Sequence, residues 1–137
     1  IDQVFRLIRN KHKVNIIKNE YSAEELKGII GKCDLFIGTR MHATIASTSM
    51  LVPTIGIAYS HKMHGIIGGM LDQEKYVINV DIINYDNLEK IVYDAWQNRD
   101  QIREILNAKI PIIKERSLQN GKYVKLLAES LNIDIER

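Results

Sequence analysis

The sequence predicts an α/β domain, a doubly wound parallel sheet with helices on both faces. Short apolar runs recur along the chain, at Val14–Ile17, Asp34–Gly38, Thr54–Ala58 and Tyr76–Val80; glycine closes the second and proline opens the third. Between them stand segments of about ten residues with apolar positions at helical spacing. The runs carry apolar residues on both faces instead of alternating, as strands covered on both sides require.

Each element has a local reason. Val4, Phe5 and Ile8 recur at helical spacing, with Asp2, Arg6, Arg9 and Lys11 between them, and make an opening helix. His12-Lys13 leads into the first strand, Val14–Ile17. Ser22 with Glu25 three residues on is a capping box; the helix carries Leu26, Ile29 and Ile30 and stops near Gly31. Asp34–Gly38 is the second strand, followed by a helix from about Met41 to Ser49. Pro53 bars that helix from continuing and opens the third strand, Thr54–Ala58. A turn from Tyr59 to His64 precedes a short helical piece and Gly68-Gly69, which reads as a flexible break. Tyr76–Val80 is the fourth strand, and Asn84 or Asp86 caps a helix running to about Asn98. A long terminal helix starts at Asp100, with a kink expected near Pro111.

The 137 residues, 45% apolar and 26% charged, suit one domain and exclude a disordered chain. Nineteen Lys and Arg against 17 Asp and Glu leave a net charge of +2, too small to argue for nucleic acid or an anionic membrane surface. The single Cys33 excludes a disulfide framework and any Cys-built metal site, and fits a reducing compartment. No apolar run approaches the roughly 18 residues of a spanning helix, and no signal-peptide pattern opens the chain. The expectation is a soluble, cytoplasmic domain. Because the chain opens at Ile1, without Met and inside a helical pattern, residues 1–137 are read as one domain of a longer protein.

In such sheets ligands bind outside the carboxyl ends of the strands, at helix N-termini. One turn there is unusual: Gly38-Thr39-Arg40-Met41-His42-Ala43-Thr44. Gly38 lets backbone approach a ligand, and the helix start offers unpaired N–H groups with partial positive charge. Arg40 and His42 stand in the first turn against that dipole, which an anion explains better than stability does. Arg supplies a bidentate fork for carboxylate or phosphate, and His carries protons. From spacing alone, a solvated Arg and a structural His explain the same residues equally well; the strand-end location favours the ligand.

The next strand ends in Ala58-Tyr59-Ser60-His61-Lys62-Met63-His64, on the same edge if strands follow in order. Lys62 adds a third positive charge, and Ser60 either bonds an anion or stabilises the turn. His61 and His64 stand three residues apart, but no carboxylate lies nearby and zinc wants three protein ligands, so no metal is expected. Elsewhere structure explains the residues. Ser47, Thr48 and Ser49 lie late in a helix and should bond back to the preceding turn. Glu24 and Glu25 suit a helix start, with a general base the minor alternative, and Cys33 reads as a small buried residue. Tyr93 and Trp96 read as core or interface aromatics, and Asp81 ends the fourth strand as a weaker site candidate.

The segments Tyr21–Leu26, Cys33–Ala46 and Val52–Lys62 together resemble the polysaccharide pyruvyl transferase family. The matching positions are Arg40, Met41, His42, Ala43, Ile45, Ala46, Pro53, Tyr59 and Lys62, and the likeness is good over residues 20 to 72. Membership implies transfer of the pyruvyl group of phosphoenolpyruvate onto a sugar or lipid-linked saccharide acceptor, as a ketal, in exopolysaccharide or cell-wall biosynthesis. It implies a Rossmann-like domain of the type that closes two-domain GT-B enzymes at their C-terminus, with an N-terminal domain of the same chain completing the cleft. It also implies no cofactor, and a fragment inactive alone. Arg40 and His42 become the catalytic pair: Arg40 clamps a donor anion and His42 transfers the proton. Lys62 neutralises departing phosphate, while Gly38, Thr39, Tyr59 and Ser60 line the donor site.

Two other functions compete. A GT-B glycosyltransferase with a nucleotide-sugar donor wants a strand-end carboxylate for the ribose hydroxyls, and Asp81 alone offers one. A non-catalytic anion-binding or receiver-like module wants aspartates at strand ends, whereas Asp34 starts its strand.

Overall fold

The computed structural model describes residues 2–131. Helix α1 spans Asp2–Leu7 and α2 spans Ala23–Ile30, with a 3-10 turn at Lys11–Lys13 between them. The expected strand at Val14–Ile17 does not form. Its side chains Val14, Ile16 and Ile17 line a groove with Val4, Phe5 and Ile8 of the α1 region. An apolar run becomes a strand only where another strand offers its edge, and this run instead meets a helix.

The capping box at α2 forms in full. Ser22 N–H donates to Glu25 Oε2 at 2.8 Å and Glu25 N–H donates to Ser22 Oγ at 3.2 Å. The Glu24 carboxyl is held below its ordinary range by hydrogen bonds from its own backbone and Ser22, as suits a helix start. Past α2 the chain turns at the surface through Gly31 and Lys32, which leaves Cys33 exposed, not buried as expected.

The remaining elements follow the predicted order. Strand β1 is Phe36–Gly38, helix α3 is Met41–Ser49 and strand β2 is Thr54–Ala58. A helical turn, α4 at His61–Met63, runs directly into a π-helix, His64–Met70. The glycines Gly68 and Gly69 therefore lie inside a helix instead of breaking the chain. Strand β3 is Val77–Asn79, shortened from the expected run by 3-10 turns at Glu74–Tyr76 and Val80–Ile82. Helix α5, Tyr85–Gln97, is capped by Asn84, which exchanges hydrogen bonds with Asn87. Helix α6, Arg99–Ser130, runs through Pro111 as one element. No helix among the described residues is long and apolar enough to cross a membrane.

The three strands form one parallel sheet in the order β1-β2-β3, pairing Phe36 with Thr54 through Gly38 with Gly56, and Gly56 with Val77 through Ala58 with Asn79. Strand order follows chain order. The described sheet therefore lacks the reversal that defines a doubly wound sheet; a reversal needs a strand beyond β1, and residues 14–17 do not supply it. What stands is an α/β domain with a parallel sheet and helices around it.

Both faces of β2 are covered. Thr54 meets Ser47 of α3 at 2.7 Å, and a Cβ on Gly56 would come within 2.9 Å of Met63. Ile55 points to the opposite face by the strand's two-residue period and is also fully buried. It packs in a core with Ala95 of α5 and Ile102 and Leu106 of α6, joined by Ala58, Met63, Ile67, Leu71 and Tyr76. Each large apolar side chain so buried contributes about 1.5–3 kcal/mol. The late hydroxyls of α3 bond backwards as expected: Ser47 and Thr48 donate to Thr44 O at 2.9 Å, and Ser49 to Ala46 O at 2.8 Å.

Candidate functional site

The parallel register brings the strand ends Gly38, Ala58 and Asn79 to one edge of the sheet. Gly38 is required there by packing. A Cβ would stand 2.6 Å from the Phe36 ring and 2.9 Å from Thr44 Cγ2, so only glycine lets β1 pass close under the start of α3. Arg40 is the N-cap of α3, with φ −91° and ψ 126°, and its side chain makes no capping hydrogen bond. The first turn holds no acid. The inner face of α3 is Thr44, Ser47 and Thr48, all buried, while Arg40 and His42 are exposed. The helix thus presents a guanidinium and an imidazole to solvent at its partly positive end, against the preference of its own dipole.

After β2 the chain leaves the sheet at Tyr59, which is 64% exposed, and half-buried Ser60. Met63, 2% exposed, packs over Gly56 and so anchors the start of the helical crossover, leaving Lys62 exposed. Thr39 and Met41 from the first turn join Tyr59, Ser60, Lys62 and Met63 from the second around one cleft of about 30 Å³. That is room for one or two water molecules, not for a three-carbon phosphate ester. Thr39, Tyr59, Ser60 and Lys62 are therefore brought together, with Gly38 in the adjoining strand, whereas Arg40 and His42 do not line the cleft. A ligand meeting all of them would lie over the cleft, not inside it. Among the described residues no ion pair engages Arg40, His42 or Lys62.

The other candidates separate from this edge or take structural work. Asp81 sits exposed in the 3-10 turn after β3. Tyr93 and Trp96 are not core: they are 66% and 43% exposed, and the Arg99 guanidinium stacks 4.8 Å from the Trp96 ring centre. Asp34 is paired with Arg103 of α6 at 3.4 Å. A groove of about 600 Å³ runs past Ile45, Met70, Ile110 and Ile113 and carries none of the site residues.

The sequence reading weighed His64 only as a metal ligand with His61 and missed its partners. The His64 ring stands between Glu74 and Asn79, with Nδ1 hydrogen-bonded to Glu74 Oε1 at 2.6 Å and Nε2 to Asn79 Oδ1 at 2.8 Å. The hydrogen bonds to Asn79 and then Glu74 raise its pKa above the ordinary histidine value of 6.5. The residues lie ten and fifteen positions apart, so no local pattern announces them. Buried Gly68 was the only trace, and it was read as a break.

The comparisons with known proteins bear on the first part of the chain. The family model for polysaccharide pyruvyl transferase matches residues 1–61. The match takes in Arg40, His42, Tyr59 and Ser60, reaches further towards the N-terminus than the motifs that first drew attention, and stops before Lys62. The amylovoran biosynthesis protein AmsJ of Erwinia amylovora is 33% identical over 60 residues, which is 44% of this chain and 14% of that protein. No solved structure matches the chain. Over residues 1–61, which take in β1, β2 and the turn after β1, the chain is similar to the polysaccharide pyruvyl transferase family.

Proposed function

We propose that the chain is one domain of a polysaccharide pyruvyl transferase that uses phosphoenolpyruvate as donor and forms a pyruvate ketal on a saccharide. The observation that carries this reading is the exposed Arg40 and His42 at the N-terminus of α3, on the carboxyl edge of a parallel sheet, within the segment that matches the family. Two anionic groups on one small donor account for cations placed against a helix dipole; a folding role does not.

In the reaction, two sugar hydroxyl oxygens bond to C2 of the donor and the C2–O bond to phosphate breaks. One hydroxyl proton ends on C3, which becomes a methyl group, and the other leaves with phosphate. Arg40 holds the carboxylate or phosphate, His42 carries the proton, and Lys62 offsets charge on the departing phosphate. Gly38, Thr39, Tyr59 and Ser60 form the floor beneath the donor. The small cleft favours completion of the site by a separate N-terminal domain, since this edge alone cannot enclose the donor. The acceptor is a sugar or lipid-linked saccharide, and AmsJ, named for amylovoran biosynthesis, points to an exopolysaccharide. A lone, exposed Cys33 and the absence of a spanning helix among the described residues favour the cytoplasm as the place of reaction.

The test is phosphate release from phosphoenolpyruvate by the full-length enzyme with a saccharide acceptor. Arg40→Ala and His42→Ala should each lower the rate by about 100-fold or more. Saturable binding of a nucleoside diphosphate, with none of phosphoenolpyruvate, overturns the reading in favour of a nucleotide-sugar glycosyltransferase.

A further inference from the structure

We propose that His64 is a positioning residue: clamped between Glu74 and Asn79, it holds the crossover helix against the carboxyl end of β3 and so fixes the Tyr59–Lys62 turn. The part played by that turn in binding an anion rests on the function proposed above. The clamp itself does not.

Three observations carry it. Both ring nitrogens of His64 are committed, to a carboxylate at 2.6 Å and a side-chain carbonyl at 2.8 Å. With both nitrogens engaged, the ring has none left for a substrate, which separates it from a proton carrier. Second, its partners come from different elements. Glu74 opens the 3-10 turn before β3 and Asn79 ends β3, while His64 itself begins the π-helix that leads out of the α4 turn. Short π-helical stretches are rare and weakly bonded, so this one needs an outside tie.

Third, the chain is cut away to let the tie form. Gly68 is buried inside the π-helix, and a Cβ there would overlap Glu74 Oε2 and stand 2.9 Å from its Cδ. The Glu74 side chain therefore reaches His64 across the face that Gly68 leaves open. Among the described residues Glu74 is the one charged group paired with the ring: Lys75, next to Glu74, is turned to Asp94 of α5 at 2.7 Å, and Asn79 is neutral. Lys62 shares the α4 turn with the residues before His64 and pairs with nothing among the described residues. A clamp two residues beyond Lys62 limits where its ammonium can sit.

The experiment follows the His64 ring by NMR titration in the full chain, together with amide exchange across His64–Met70. The ring should titrate above 6.5. Glu74→Gln and Gly68→Ala should both bring that midpoint down and speed exchange across the segment by about threefold to fivefold, the scale of losing an exposed ion pair. Exchange in α3 should not change. The difference between wild type and Glu74→Gln should close above the wild-type midpoint, which a simple packing contact would not do. An ordinary His64 midpoint, or equal exchange in wild type and variants, overturns the clamp, and the wild-type titration reads this even if a variant folds poorly. Phosphate release separates the two claims. Turnover with an unprotected segment removes the clamp and keeps the reaction; a protected, titrating segment without turnover removes the reaction and keeps the clamp.

Discussion

The two turns at the carboxyl edge of the sheet are built in opposite ways. The turn after β1 is local: Gly38 closes the strand, Arg40 caps α3, and Thr44 N–H reaches back to Arg40 O at 3.1 Å. The residues that shape the turn lie within a few positions of Arg40 and His42, although α3 itself is seated on Met63 and Thr54 through Thr44 and Ser47. The turn after β2 is held from a distance, by Met63 against Gly56 below and by His64 against residues ten and fifteen positions on. Charge is placed by short-range geometry in the first case, and shape is maintained by long-range contacts in the second. Substitutions in the two turns should therefore separate into losses of activity without unfolding and losses of local order.

The largest effect expected is on turnover. Arg40→Ala, at an exposed cap with no side-chain partner among the described residues, should cost about 100-fold or more in phosphate release while the melting temperature stays within a degree or two. A fall in stability of the same size would assign Arg40 to the fold instead. Ile55→Ala, at a fully buried position of the central strand beneath both turns, should cost about 2–5 kcal/mol by denaturant unfolding. A loss below about 1 kcal/mol would mean that β2 is not the shared support of the two turns.

Smaller effects test the ties. Thr54→Val removes a hydroxyl that bonds Ser47 at 2.7 Å and Val52 O at 2.8 Å, and should cost about 1–2 kcal/mol. The pH dependence of the second turn follows from the sign of the His64 shift. A pKa raised in the folded chain gives stabilisation that is complete below the ordinary histidine value and is lost as pH rises through the raised value. Amide exchange across His64–Met70 should therefore stay slow below the ordinary histidine value and accelerate, beyond the intrinsic rise, as pH passes through the raised His64 value, while exchange in α3 keeps the intrinsic slope. Asp94 behaves oppositely. Lys75, chiefly, holds its carboxyl below the ordinary range, so its contribution is present near neutrality and disappears as pH falls through that lowered value. Lys75→Ala should cost at most about 1 kcal/mol, since the pair is exposed.

Much of this was legible before any coordinates. Capping residues, the proline after α3 and the apolar runs locate α2, α3, β2 and α5 because their causes are local: a side chain reaching a nearby N–H, a ring that cannot donate, an apolar period. Arg40 and His42 were singled out for the same reason, since a cation in a first helical turn stands out from spacing alone. Residues 14–17, Cys33 and Gly68 were misread for the opposite reason. Whether an apolar run pairs as a strand depends on a neighbour's edge, and whether a thiol is covered depends on what the chain passes over. A glycine is a break or a passage according to what packs on it. Residue chemistry and near-neighbour spacing alone determine where α2, α3 and α5 begin, which strand ends form the carboxyl edge of the sheet and which basic residues follow them. The tertiary structure alone decides that the sheet runs in chain order, that the cleft between the turns is small, and that His64, Glu74 and Asn79 meet, because those outcomes depend on contacts between residues that spacing does not bring together.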